Sequence, residues 1–228
     1  MAATAGDAQR APKRYQQYCP VARGLDLLGE RWTMLVIRDL LMGPRRYTDL
    51  REGLPGIATD LLTARLRTLE GAGLVRRRKL PRPAPATVYE LTDEGWQVAP
   101  AIFWLGRVGA RVLGPPSPGL QMLAGPVVLA LRVLFHGDRF GELEEAYALE
   151  VDGEPFSVSV ADGFADTRPG QPASAAMRLV TDARTLVELL RRELPPTEAL
   201  SSGRARLEGK RSTLTRFLEA FAYPQPAA

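Results

Sequence analysis

Between Leu113 and Gly119 the chain reads LGPPSPG, three prolines and two glycines in seven residues. Neither a helix nor a strand continues through such a run, because proline removes the amide donor and fixes φ. A chain of 228 residues with 45% hydrophobic composition can bury two cores of ordinary size. The run therefore divides the sequence into a polar arm (1–18), an N-terminal unit (19–114) and a C-terminal unit (115–228). Charge divides at the same place. Before residue 115 there are 18 Lys+Arg against 11 Asp+Glu, a net of +7, and after it 12 against 15, a net of −3. A polyanionic partner is expected for the first unit and not for the second.

Several function classes drop out early. The most apolar stretch, MLAGPVVLALRVLF (122–135), is too short to span a bilayer and is interrupted by Arg132, so no membrane partner is expected. The arm MAATAGDAQRAPKRYQQ lacks the apolar segment of a secretion signal, and a cytoplasmic location is expected. With one cysteine and one histidine there is neither an intrachain disulfide nor a Cys/His cluster, and no metal or other cofactor is expected. His136 ends an apolar helix with no nucleophile motif beside it, and GFADTRPGQPAS contains no phosphate-binding fingerprint. The chain is read as a non-enzyme.

In the N-terminal unit, apolar residues at Val21, Leu25 and Leu28, then Trp32, Leu35, Val36 and Leu40, recur mostly three and four apart. This spacing predicts helices over 20–29 and 31–42, separated near Gly29 and stopped at Gly43-Pro44. Tyr47, Leu50 and Leu54 mark a shorter helix. After a tight turn, Thr59 is expected to cap a longer helix with Leu62, Leu66 and Leu69 inward, ended by Gly71 and Gly73. LVRRRKL and TVYELT are two short strands joined by the proline-rich PRPAPA. A last helix starts at Thr92-Asp93 and carries Trp96, Ile102, Leu105, Val108 and Val112.

That order is the order of a winged helix-turn-helix. The segments CPVARGLDLLGERWT, RDLLMGPRRYTDL, LLTARLRTLEGAGLVRR and VYELTDEG, within roughly residues 19–112, closely resemble the HxlR-type transcriptional regulators, relatives of the MarR group. The resemblance implies a homodimer that binds double-stranded DNA and regulates nearby genes, here read as a repressor. On the helix after the turn, Thr59, Asp60, Thr63 and Arg67 lie opposite the leucines. Short hydroxyl side chains let a helix backbone approach base edges, so Thr59, Thr63 and Arg67 are the candidates for base contact. Arg45, Arg46, Arg65, Arg76, Arg77, Arg78, Lys79 and Arg82 are the candidates for phosphate contact, which sets affinity and salt dependence. Asp60 has no assigned role. Apolar surface on the first and last helices is expected to pair two copies.

Cys19 precedes Pro20 at the start of the first helix, where a helix N-terminus and the cations Lys13 and Arg14 would favour a reactive thiol. In several members of the resembled family a cysteine at this place senses oxidants or electrophiles, which makes Cys19 a candidate redox residue. With no second cysteine, a bridge would have to reach the partner's copy or a small thiol. The competing reading is a small buried apolar side chain.

In the C-terminal unit, residues 120–137 suggest an apolar helix that could join either half. AYALEVDG and PFSVSVADG form a strand pair and SAAMRLVT a third strand. DARTLVELLRREL, PTEAL and KRSTLTRFLEAFA are helices, with RARLEG a strand among them. The expected class is α+β, an antiparallel sheet with helices packed on it. From LVTDARTLVELL to ALSSGRARLEGKRSTLTRFLEAF the segment resembles the sterol-carrier-protein-like domains. That resemblance implies an apolar tunnel between sheet and helices and a hydrophobic small-molecule effector, although Leu186, Leu189, Leu190, Leu207, Leu214, Phe217, Leu218 and Phe221 are expected mostly to be core. The competing function is a lipid or hydrophobic-metabolite carrier that uses its winged helix to dimerise.

Overall fold

The computed structural model describes residues 14–81, 85–117 and 119–224. The first unit runs α1 (Pro20–Leu28), α2 (Thr33–Leu40), β1 (Arg45–Arg46), α3 (Tyr47–Gly53), α4 (Thr59–Gly71), β2 (Val75–Lys79), β3 (Thr87–Leu91), α5 (Asp93–Trp96) and α6 (Ala99–Val112). The second runs α7 (Ala124–Leu134), α8 (Gly137–Phe140), β4 (Glu145–Val151), β5 (Glu154–Ala161), β6 (Phe164–Pro169), β7 (Met177–Thr181), α9 (Ala183–Leu190), α10 (Pro196–Ser201), β8 (Ala205–Gly209) and α11 (Arg211–Ala220).

In the first unit β1, β3 and β2 form an antiparallel sheet with β3 in the middle, and Arg45 pairs with Tyr89. The helix expected from Thr92 is two helices. Thr92 caps α5 by accepting from the Gly95 amide at 3.0 Å, and its hydroxyl donates to the Gly73 carbonyl at 2.6 Å. The helix then breaks, and α6 restarts with a proline in its first turn, where the missing amide costs no helix bond. Because Thr92 ties the wing's base to α5, Thr92→Ala should cost about 1 kcal/mol, read as a lowered midpoint in thermal unfolding. The helix after the turn is capped differently from expectation. Ala58 occupies the N-cap of α4 with no side-chain bond, and Thr59 is the first helical residue.

The second sheet has the order β6-β5-β4-β7-β8. The tight turns Asp152-Gly153 and Asp162-Gly163 carry positive φ at both central residues, as the twist of a two-residue hairpin requires. The second of these hairpins brings in β6, a strand absent from the sequence reading. The sheet is antiparallel except at β4 and β7, which run parallel, Leu149 beside Leu179. β7 joins on the side of β4 opposite β5, and β8 completes that edge.

One face of this sheet carries Tyr147, Leu149, Phe156, Val158, Met177 and Leu179, all buried. Against it lies an aromatic cluster. Phe217 stands 5.0 Å from Tyr147 and 4.8 Å from Phe221, and Phe221 stands 5.4 Å from Phe135. These rings occupy the space between sheet and helices where the sterol-carrier resemblance placed a tunnel. Burial raises the Tyr147 hydroxyl well above its ordinary range, reinforced by its bond to Glu145. His136 serves as a bolt. Its amide donates to the Ala220 carbonyl at 2.9 Å, and its Nε2 lies 3.0 Å from the Ala222 carbonyl.

The apolar helix of undecided allegiance, α7, packs on α2 and α6 on one side and on β6 and α9 on the other. Its buried Val128, Leu129, Leu131 and Leu134 join both sets of core residues into one contiguous cluster. Among the described residues no helix is long and apolar enough to cross a membrane, and no group of three or more His, Cys, Asp or Glu side chains is placed to hold a metal ion.

Candidate nucleic-acid interface

Leu62, Leu66 and Leu69 are buried and fix which way α4 faces. Thr59, Asp60, Ala64, Arg67 and Thr68 are therefore exposed together on the opposite side, with Thr63 half-buried among them. Tyr47, at the start of α3, holds this helix in place. Its hydroxyl donates to the Thr59 carbonyl at 3.0 Å and lies 3.3 Å from Thr63 Oγ1. Thr63 also donates to the Thr59 carbonyl at 3.0 Å, so what it leaves free is its methyl group and an acceptor lone pair. The sequence reading counted Tyr47 as an apolar position and missed this role. No local signal marks it, because the bond spans twelve positions and the missing side-chain cap at the helix start is seen only in the structure.

The wing is braced to the helix by charge. Arg77 grips Glu70, near the end of α4, through two bonds of 2.7 and 2.8 Å, and its guanidinium lies 5.4 Å from the Tyr89 ring centroid. On the other side of the same strand Arg76 and Arg78 each donate from Nε to a separate oxygen of Glu90 at 2.8 Å. Burial pushes the Glu90 carboxyl upward, and the bonds from Arg78 and Arg76 overcome it, leaving the group below its ordinary range. Three of the four cations in the 76–79 run thus share two carboxylates. Lys79, by contrast, has no ion pair among the described residues.

Two of the residues expected at phosphates point elsewhere. Arg65 donates to Glu30 at 2.8 Å and to the Arg31 carbonyl at 3.1 Å, and its side chain is only 16% exposed. It fastens α4 to the junction of α1 and α2. Arg45 is half-buried, and its guanidinium lies 3.6 Å from where a Cβ on Gly125 of α7 would stand, so it faces the second unit. Arg46 is exposed beside the start of α3, where Asp49 accepts from its amide at 2.9 Å. Arg82 lies outside the described residues. Cys19 is the half-buried N-cap residue of α1 and a free thiol.

An exposed polar helix face, held by a preceding helix and flanked by a charged two-stranded wing, defines a winged helix-turn-helix DNA-binding unit. Residues 27–116 match the HxlR-like helix-turn-helix family. The chain is 36% identical over 107 residues to an HTH-type transcriptional regulator of Synechocystis sp., covering 47% of this chain and 79% of that one. It is 33% identical over 100 residues to the HTH-type transcriptional regulator YvaP of Bacillus subtilis, covering 43% and 93%. With YodB, an HTH-type transcriptional regulator of the same bacterium, it shares 37% identity over 78 residues, covering 34% and 70%. The chain belongs to the HxlR-like helix-turn-helix family and is a DNA-binding transcriptional regulator.

Proposed function

We propose that the protein is a repressor that binds a two-fold operator as a homodimer and responds through its second unit to a hydrophobic small molecule. The observation that carries the DNA contact is the α4 face of Thr59, Thr63 and Arg67 standing clear of the core beside an uncapped helix N-terminus. Free amides and the helix dipole at that end favour a phosphate, and Asp60 in the first turn offsets part of the same dipole. Thr59 and Thr63 offer hydroxyl and methyl groups to base edges, and Arg67 offers a fork for guanine. Arg46, Lys79 and the outer parts of Arg76, Arg77 and Arg78 are the candidates for the flanking backbone, whereas Arg45 and Arg65 serve the fold.

The dimer reading is supported by apolar side chains left bare on two helices, Val21 and Leu25 on α1 and Leu105, Val108 and Val112 on α6. Bare apolar surface of this kind marks an association face. The effector reading is supported by the position of α7, which touches α2 and α6 of the DNA-binding unit as well as the second sheet. A ligand that prefers one arrangement of these layers shifts the affinity for DNA.

Gel shift with the protein's own upstream DNA at two salt concentrations tests the regulator. Sequence-specific binding that falls steeply with salt is expected, and binding no tighter than to a random duplex would favour the carrier reading instead. Within that assay Arg67→Ala should cost about 1–3 kcal/mol on the operator and flatten the preference for one base pair. Lys79→Ala should weaken operator and random DNA alike and lower the salt slope by about one. Arg65→Ala should leave both unchanged while lowering the melting midpoint.

A further inference from the structure

Helix α6 divides its surface three ways. Ile102, Gly106, Gly109 and Leu113 face α7. Leu105, Val108 and Val112 point outward and are bare. Pro100, Phe103, Trp104 and Arg107 share a third face, and that face is one wall of a cleft of about 690 Å³. The opposite walls are Arg132 and Phe135 at the end of α7, Gly137 and Asp138 of α8, and Phe164 to Asp166 on the edge strand β6. Such a volume suits a ligand of several rings or a long chain. Two large aromatic side chains are left bare in it, Trp104 at 66% and Phe164 at 75% exposure, one from each unit of the chain.

The cleft's two cations, Arg107 and Arg132, and two carboxylates, Asp138 and Asp166, are engaged unequally. Asp166 is taken by Arg132 and, at 2.7 Å, by Arg168. Arg132 is nearly buried over the Phe103 ring, donates to the Thr167 carbonyl at 3.2 Å, and keeps an Nε without an acceptor. Burial, with the Arg168 cation nearby, lowers its pKa to about 10. Arg107 lies 5.3 Å over the Trp104 ring and has no carboxylate partner among the described residues. Asp138 is the remaining charge, in the first turn of α8 where a negative group is favoured.

We infer that the cleft between α6 and β6 binds an apolar carboxylate, its hydrocarbon or ring body against Phe103, Trp104, Phe135 and Phe164 and its anionic head at Arg107. Aromatic faces accept a flat or extended apolar body, and a guanidinium already stacked on one of them is pre-placed for the carboxylate. The inference rests on the regulator reading for its consequence. Occupancy fills the space between β6 and the helix whose outer face pairs two copies, so ligand and DNA are linked through α6.

The probe is 1-pyrenebutyrate, with the neutral 1-pyrenebutanol and the cationic 1-pyrenemethylamine as comparisons, titrated into the full-length protein. The acid is expected to bind about tenfold more tightly than the alcohol. Arg107→Gln should remove that preference and leave the alcohol's affinity unchanged, whereas Trp104→Ala should weaken both. Both side chains are exposed, so the variants keep their fold, checked by circular dichroism. Equal affinity for acid and alcohol, indifference to both substitutions, or preference for the amine that Asp138→Asn abolishes would each overturn the assignment. A gel shift run beside it separates the two readings. A specific shift without pyrenebutyrate binding defeats the cleft alone, and pyrenebutyrate binding without a specific shift defeats the regulator alone.

Discussion

Replacing Leu105 and Val108 together by aspartate should yield a folded monomer that no longer occupies its operator at concentrations where the wild type is saturated. Both side chains are more than half exposed, so their replacement removes little that holds the monomer together, and surface changes of this kind usually stay within about 0.5 kcal/mol. On the proposed homodimer the loss comes from association. Two carboxylates set into an apolar stripe would have to be buried unpaired in a two-fold interface. A single α4 then meets a single half-site, and the gain of two linked contacts, typically about 10²–10⁴ in affinity, disappears. Light scattering gives the mass, gel shift the affinity, and the thermal midpoint confirms that the fold is intact. A variant that remains dimeric would place the interface elsewhere, on α1 or on the second unit.

How much of this was legible in the sequence depended on the range of the interaction. Leucines three and four apart gave α4, and Thr92 with Asp93 marked a true helix start, because both signals are local. β1 is only Arg45 and Arg46, and its existence depends on Tyr89 and Val88 more than forty positions away. β6 is not evident from the sequence because Phe164 to Pro169 is an edge strand paired on one side, its alternation blurred by Phe164 on the exposed face, by Pro169 and by the flanking glycines. The basic run at 76–79 was plain, but the partners that absorb it, Glu70 and Glu90, sit on other elements. For the same reason Arg65 looked available until the fold carried Glu30 to it. The largest revision concerns the second unit. Phe217 and Phe221 are core as expected, yet only the fold shows them closing on Tyr147 and Phe135, and a cleft at the seam between the units.

Phe217→Ala should destabilise the whole molecule, including the DNA-binding half it does not touch. The ring is fully buried, set edge-on to Tyr147 at 5.0 Å and tilted against Phe221 at 4.8 Å, so truncation removes its transfer energy and leaves a cavity among rigid neighbours. Such changes cost about 3–5 kcal/mol, a large share of the roughly 5–15 kcal/mol that holds a domain together. For a chain of this length the melting midpoint should fall by on the order of 10 °C. The loss spreads because α7 is common to both cores, its Leu131 and Leu134 buried in the cluster that runs from Val36 to Phe221. Trp32, Trp96 and Trp104, the three tryptophans, all lie before the LGPPSPG run, so their fluorescence reports mainly on the first unit and, through Trp96 and Trp104, on its contact with the second. Circular dichroism follows both. If the units share one cooperative core, the two signals shift downward together in Phe217→Ala. A fluorescence transition that stays in place while the dichroism splits in two would show instead that the boundary near residue 115 separates units that fold independently, with α7 belonging to one of them.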